Sequence, residues 1–100
     1  MFDISDTVTF KAPVKVANPG GEPQEFTAEF KLIGVAALGK VELTTEEGTA
    51  AFLREVLVSV EGVKAPKGAS VVDALLDHPV ARPRLVNAYF SAIAEAREKN

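Results

Sequence analysis

The chain has 100 residues, 47% of them hydrophobic and 25% charged, with a net charge of −3, one histidine and no cysteine. That length makes one small domain able to bury roughly 60 to 70% of the surface its unfolded chain exposes, and the composition excludes a membrane-spanning apolar run, disulfides and thiolate metal sites. Residues 1–78 hold seven Lys/Arg against twelve Asp/Glu and residues 79–100 hold four against two, so the acidic body lacks the concentrated basic face that nucleic acid requires.

Met1-Phe2-Asp3-Ile4-Ser5-Asp6 has neither the basic start nor the apolar stretch of a secretory signal, which makes reducing cytoplasm the expected compartment. From Thr7 to Val16 the chain alternates, with Val8, Phe10, Ala12, Val14 and Val16 on one face and Thr7, Thr9, Lys11, Pro13 and Lys15 on the other. This is the period of a half-buried strand. Asn18-Pro19-Gly20-Gly21-Glu22-Pro23 supplies a turn, and Phe26, Ala28, Phe30 and Leu32 then alternate with Thr27, Glu29 and Lys31. The two runs form a β-hairpin whose first strand lies at an edge, because Pro13 has no backbone N–H to give to a ladder. A lone hairpin is marginal in water, so its apolar face must rest on helices supplied later in the chain.

Residues 34–43 combine helix-favouring Ala and Leu with two glycines and read as a short helix or turn. Thr44 with Glu47 three residues on makes a capping box, after which Ala50, Leu53, Val56, Leu57 and Val60 recur at helical spacing. The pattern predicts a central helix over 45–60, closed by Gly62. Arg54, Glu55 and Val58 fall on the side of that helix away from the apolar stripe and are the candidate protein-binding residues, although an exposed valine is commonly incidental. Ser70 with Asp73 predicts an N-cap for a short helix burying Val71, Val72, Leu75 and Leu76, which Pro79 stops. Pro83 fits at the first turn of a helix, so the final helix is predicted to begin near Arg82 or Pro83, with Leu85, Val86, Tyr89, Phe90, Ile93 and Arg97 on one face. Asn87, Ser91, Glu95 and Glu98 take the solvated face. The fold class is therefore α+β: an N-terminal antiparallel hairpin packed against three to four helices.

No combination of residues makes a convincing catalytic site. His78 could be grouped with Ser70 or Ser91, yet no nucleophile elbow surrounds either serine, and a corner histidine that caps a helix end is the better reading. Glu46 and Glu47 are adjacent on a helix and point in different directions, which suits neither paired acid–base work nor a metal site. Gly20-Gly21 lacks the Gly-Lys-Ser/Thr ending of a phosphate loop and precedes a strand. Tyr89-Phe90 could stack a base or cofactor, but at helical spacing beside Leu85, Val86 and Ile93 the pair belongs to a core. No cofactor or metal is called for, and the chain reads as a binding or assembly protein.

Four blocks in order carry a resemblance: Phe52-Leu53-Arg54-Glu55-Val56-Leu57-Val58 followed by Glu61-Gly62-Val63, Leu75-Leu76-Asp77-His78-Pro79, Leu85-Val86-Asn87-Ala88-Tyr89-Phe90, and Arg97-Glu98-Lys99-Asn100. With the hairpin segment Phe26-Thr27-Ala28-Glu29-Phe30, the chain resembles the tail assembly chaperones of long-tailed bacteriophages and prophages over nearly its whole length, as one domain spanning 1–100. Val60 stands where that family commonly has tryptophan. The resemblance implies a non-enzymatic protein of the host cytoplasm that binds and shields the tape-measure protein, yields it as tail-tube protein polymerises, forms homo-oligomers and is not retained in the mature virion. It also implies a longer form made by −1 ribosomal frameshifting, for which Glu98-Lys99-Asn100 can be encoded by GAA AAA AAC, containing a slippery A AAA AAC heptamer. The alternatives are another small tail or connector structural protein, or a small cytoplasmic regulatory binding domain.

Overall fold

In the computed structural model, which describes residues 8–98, the alternating segments pair as expected: β1 (Thr9–Val16) runs antiparallel to β2 (Gln24–Lys31). Thr7 of the predicted first strand lies outside the described residues. Gly20 takes a positive φ of 76° and Gly21 N–H closes the turn on the Asn18 carbonyl at 2.8 Å, so Pro19-Gly20 supplies the turn geometry that a residue with a Cβ resists. Leu32 N–H donates to the Val8 carbonyl directly opposite it at 2.8 Å. That bond sets the phase of the ladder: even-numbered residues of β1 bond β2, and Thr9, Lys11, Pro13 and Lys15 turn their backbone groups outward. Pro13 is tolerated because its missing N–H falls on the open side of an edge strand.

The central helix is shorter than predicted, and this is the main correction. α2 spans Glu46–Val56 (α1, one turn over Val35–Leu38, precedes it), and Leu57–Glu61 forms a third strand, β3, beside β2. Leu57 and Val60 lie three residues apart, which suits a helix stripe, but Leu57-Val58-Ser59-Val60 is also rich in β-branched residues. Tertiary context decides: the backbone groups of Thr27 and Glu29 face away from β1 and need partners, which Glu61 and Ser59 supply. The sheet order is β1-β2-β3, and Gly62 with φ 87° ends β3 instead of capping a helix.

The helix starts shift by one or two residues for local reasons. Thr45, not Thr44, is the N-cap of α2, its hydroxyl accepting Gly48 N–H at 3.0 Å, so Glu47 has no reciprocal capping role. Ser70 caps α3 (Val71–Leu76) as predicted, accepting from Asp73 N–H. α4 (Ala81–Glu98) begins before Arg82 because His78 Nδ1 accepts from Val80 and Ala81 N–H, both at 3.1 Å. Those bonds leave Nε2 as the N–H that donates to Asn18 Oδ1 at 2.8 Å, tying the corner to the hairpin turn. His78 is the corner cap that the sequence implies.

Helices α2, α3 and α4 pack against the sheet, and one core joins the layers. Val14, Ala28 and Phe30 from the sheet meet Phe52, Leu53, Val56, Leu85 and Tyr89 from the helices, all buried. Tyr89 is fully buried, with its ring edge-on to Phe30 at 5.4 Å and to Phe52 at 5.2 Å. Phe90 stacks on Phe52 at 5.6 Å, so the Tyr89-Phe90 pair is core. The Tyr89 hydroxyl donates to the Lys31 carbonyl and accepts Ile33 N–H, both at 3.2 Å. This fastens α4 to the end of β2, where the ladder stops.

Candidate functional site

The three residues singled out for partner contact do not share a helix face. Arg54 Nη1 lies 2.7 Å from Asp73 Oδ1, linking α2 to α3, and Glu55 Oε1 lies 3.2 Å from Lys31 Nζ, linking α2 to β2. Both pairs are largely exposed, so each contributes little beyond about 1 kcal/mol. Val58 sits on β3 as the extra residue of a bulge: Glu29 pairs with Ser59 and Phe30 with Leu57, leaving Val58 unopposed and 51% exposed. The three therefore cluster at the junction where α2 gives way to β3. They are reached from two elements, with the two charges already engaged inside the fold.

A larger apolar surface lies at the open end of the hairpin. Val8 and Leu32, each 43% exposed, face each other there, and with Phe10, Ala92, Ile93 and Ala96 they line a cleft of about 360 Å³ bordered by Lys11 and Glu95. Val35, 80% exposed, follows three residues after Leu32 on α1, a turn with no buried residue and no side-chain cap. Alternation correctly assigns Val8 and Leu32 to the apolar face of the hairpin. At its end α4 borders that face through Ala92, Ile93 and Ala96 without covering it, and no local pattern marks where the cover stops.

Two other clefts carry more polar groups. One of about 370 Å³ lies between the hairpin turn and the α3–α4 corner and includes Asn18, Glu22, Lys64 and His78. Both ring nitrogens of His78 are committed to structural hydrogen bonds there, so it has no free position to act as a base. Another, of about 390 Å³, lies at the start of α2 and includes Thr44, Thr45, Glu46 and Arg82. Arg82 crosses it to donate to the Leu76 carbonyl at 2.5 Å and to the Glu46 carbonyl at 3.4 Å. Nearby, Thr44 donates both its hydroxyl and its N–H to Glu42 Oε1, and these bonds hold the Glu42 carboxyl below its ordinary value. Among the described residues no group of three His, Asp or Glu side chains converges to hold a metal ion. No helix among them is long and apolar enough to cross a membrane.

The geometry is thus a helix-backed sheet with partly uncovered apolar residues and structural polar contacts. A family model described as phage tail assembly chaperone matches residues 1–100. The chain belongs to the phage tail assembly chaperone family. Comparison with curated proteins and with solved structures gave no match. Membership makes this chaperone a participant in tail assembly that interacts with tail proteins, in a family that is generally non-catalytic. Of its exposed large apolar side chains, Val58 lies at the β3 bulge and Val8 and Leu32 at the open hairpin end.

Proposed function

We propose that this chaperone binds and shields the tape-measure protein in the host cytoplasm, releases it as tail-tube protein polymerises, and leaves before the virion matures. The family match over residues 1–100 carries the reading. The physical task is to keep a long amphipathic chain from aggregating through its apolar stripe. The cleft of Val8, Phe10, Leu32, Ala92 and Ile93 supports it as a place for apolar side chains, and Val58, with Arg54 and Glu55 just before it, forms a second contact. Many copies assembled as homo-oligomers cover a long partner and are displaced one at a time. A longer form sharing this domain arises by −1 frameshifting near Glu98-Lys99-Asn100, which GAA AAA AAC can encode; reading the gene's last dozen nucleotides tests this, and codons such as GAG AAG overturn it. Lys99 and Asn100 lie outside the described residues.

Co-expression provides the test. The tape-measure protein is expected in the soluble fraction with the chaperone and in the pellet without it, and Leu32→Asp combined with Val58→Asp reduces the soluble share. A tape measure that stays equally soluble alone overturns the shielding role. Detection of the chain by mass spectrometry in purified virions favours the connector alternative.

A further inference from the structure

The open edge of β1 and the face of α4 beside it form a further cleft, of about 250 Å³, lined by Pro13, Val14, Lys15, Arg84, Asn87, Ala88 and Ser91. We propose that this cleft docks an extended acidic segment of a partner protein, added as a fourth strand on β1. The proposal does not rest on the tape-measure reading.

Two observations carry it, one from the backbone and one from charge. The phase fixed by the Val8–Leu32 bond turns the N–H and C=O of Lys15 and the C=O of Pro13 outward, on the side of the cleft. A strand laid there can make three ladder bonds while α4 forms the opposite wall, as in peptide recognition by strand addition next to a helix. Ala88, Asn87 and Ser91 are short enough to let a backbone approach.

Two cations, Lys15 and Arg84, flank the cleft and no carboxylate lines it. Among the described residues neither makes an ion pair, whereas Lys11, Lys31 and Arg54 are each engaged. Glu25 stands opposite Lys15 in the ladder register but is not bridged to it. Lys15 projects on the open face of the sheet and Arg84 on the helix side, so successive acidic residues of an added strand meet a cation on either face. Pro13 argues for a foreign segment over a second copy, because proline on an edge interrupts the long ladder that two β1 edges need.

The probe is a short synthetic peptide of glutamate pairs alternating with threonine pairs, which presents glutamate on both faces of a strand, titrated to millimolar concentration into the isotope-labelled chain and followed by amide chemical shifts. The Lys15, Asn87 and Ser91 amides are expected to move, with little change along β3. The matching lysine–threonine peptide is expected to leave them in place. Lys15→Glu with Arg84→Glu weakens binding about tenfold, as two partly exposed charge contacts imply. Should that double variant lose its dispersed spectrum, the single neutral variants Lys15→Gln and Arg84→Gln are each expected to weaken binding severalfold. Shifts centred on β3, equal binding of the lysine peptide, or undiminished binding by folded variants overturn the proposal. So does movement of the same amides when the protein alone is concentrated, which assigns the edge to a second copy.

Discussion

Replacing Tyr89 with phenylalanine removes one oxygen from the centre of the fold and leaves the ring contacts with Phe10, Phe30, Phe52 and Phe90 in place. That oxygen donates to the Lys31 carbonyl and accepts Ile33 N–H, both at 3.2 Å, and both bonds are partly buried. Each bond is worth about 1 kcal/mol net, and leaving a partly buried N–H and C=O without partners adds to the loss. The expected destabilisation is about 2 kcal/mol. With a urea m-value of about 1.5 kcal/mol/M, the unfolding midpoint falls by about 1.3 M while m is unchanged. A thermal midpoint lower by about 8 to 16 °C is the parallel expectation for a domain of this size. Urea titration followed by far-ultraviolet circular dichroism reads the change directly. A loss below about 0.5 kcal/mol would refute the argument that this hydroxyl fastens α4 to the end of β2. A changed m-value would show instead that the variant altered the native or denatured ensemble.

Three further perturbations probe the local geometry. Gly48→Ala gains about 1 kcal/mol of helix propensity at an unconstrained site, but here an added Cβ would lie 1.9 Å from the Glu42 carbonyl oxygen, so calorimetry is expected to show net destabilisation. His78→Ala removes the acceptor of Val80 and Ala81 N–H, costing about 1 kcal/mol as for other lost N-caps, with faster amide exchange confined to the first turn of α4. Carbon-detected titration is expected to place the Glu42 carboxyl below its ordinary value, and Thr44→Ala to move it back up. Because the folded value is the lower one, the Glu42–Thr44 contact supports the fold above the unfolded value and is lost as pH falls through the folded one. A Glu42 titration unmoved by Thr44→Ala removes that cause.

The hairpin was legible because two independent signals agreed. Period-two alternation gave both strands, and Asn18-Pro19-Gly20-Gly21 supplied the residues a positive-φ turn demands. Pro13 even indicated which strand would be the edge. Leu57–Glu61 is not legible in the same way, because the deciding information is not local. The same residues satisfy a helical stripe and a short strand, and the choice falls to the outward backbone groups of β2, which pair with β3. The shift of the cap from Thr44 to Thr45 has a similar origin, since adjacent threonines offer equivalent hydroxyls and Thr44 is drawn to Glu42.

The candidate surface was less legible than the core for a related reason. A core residue is marked by its own period, whereas an uncovered apolar residue is defined by what fails to reach it. Val8 and Leu32 carry the same alternation as Phe10 and Phe30, yet Phe30 is fully buried beneath Tyr89 while Leu32 stays 43% exposed in a cleft that α4 only borders. Val58 shows the converse. Assigned to a helix, it was simply the valine off the stripe; in β3 it is the residue that a bulge leaves without an opposite partner, which is why it is exposed. Charge assignments changed in the same way, since Arg54 and Glu55 are exposed as their helix positions imply but reach across to Asp73 and Lys31. Lys15 and Arg84, separated by 69 positions, acquire a shared cleft only once α4 lies along β1. Partner contacts of this kind depend on the relative ends and phases of packed elements, so correcting one element from helix to strand changes the surface reading more than the core reading.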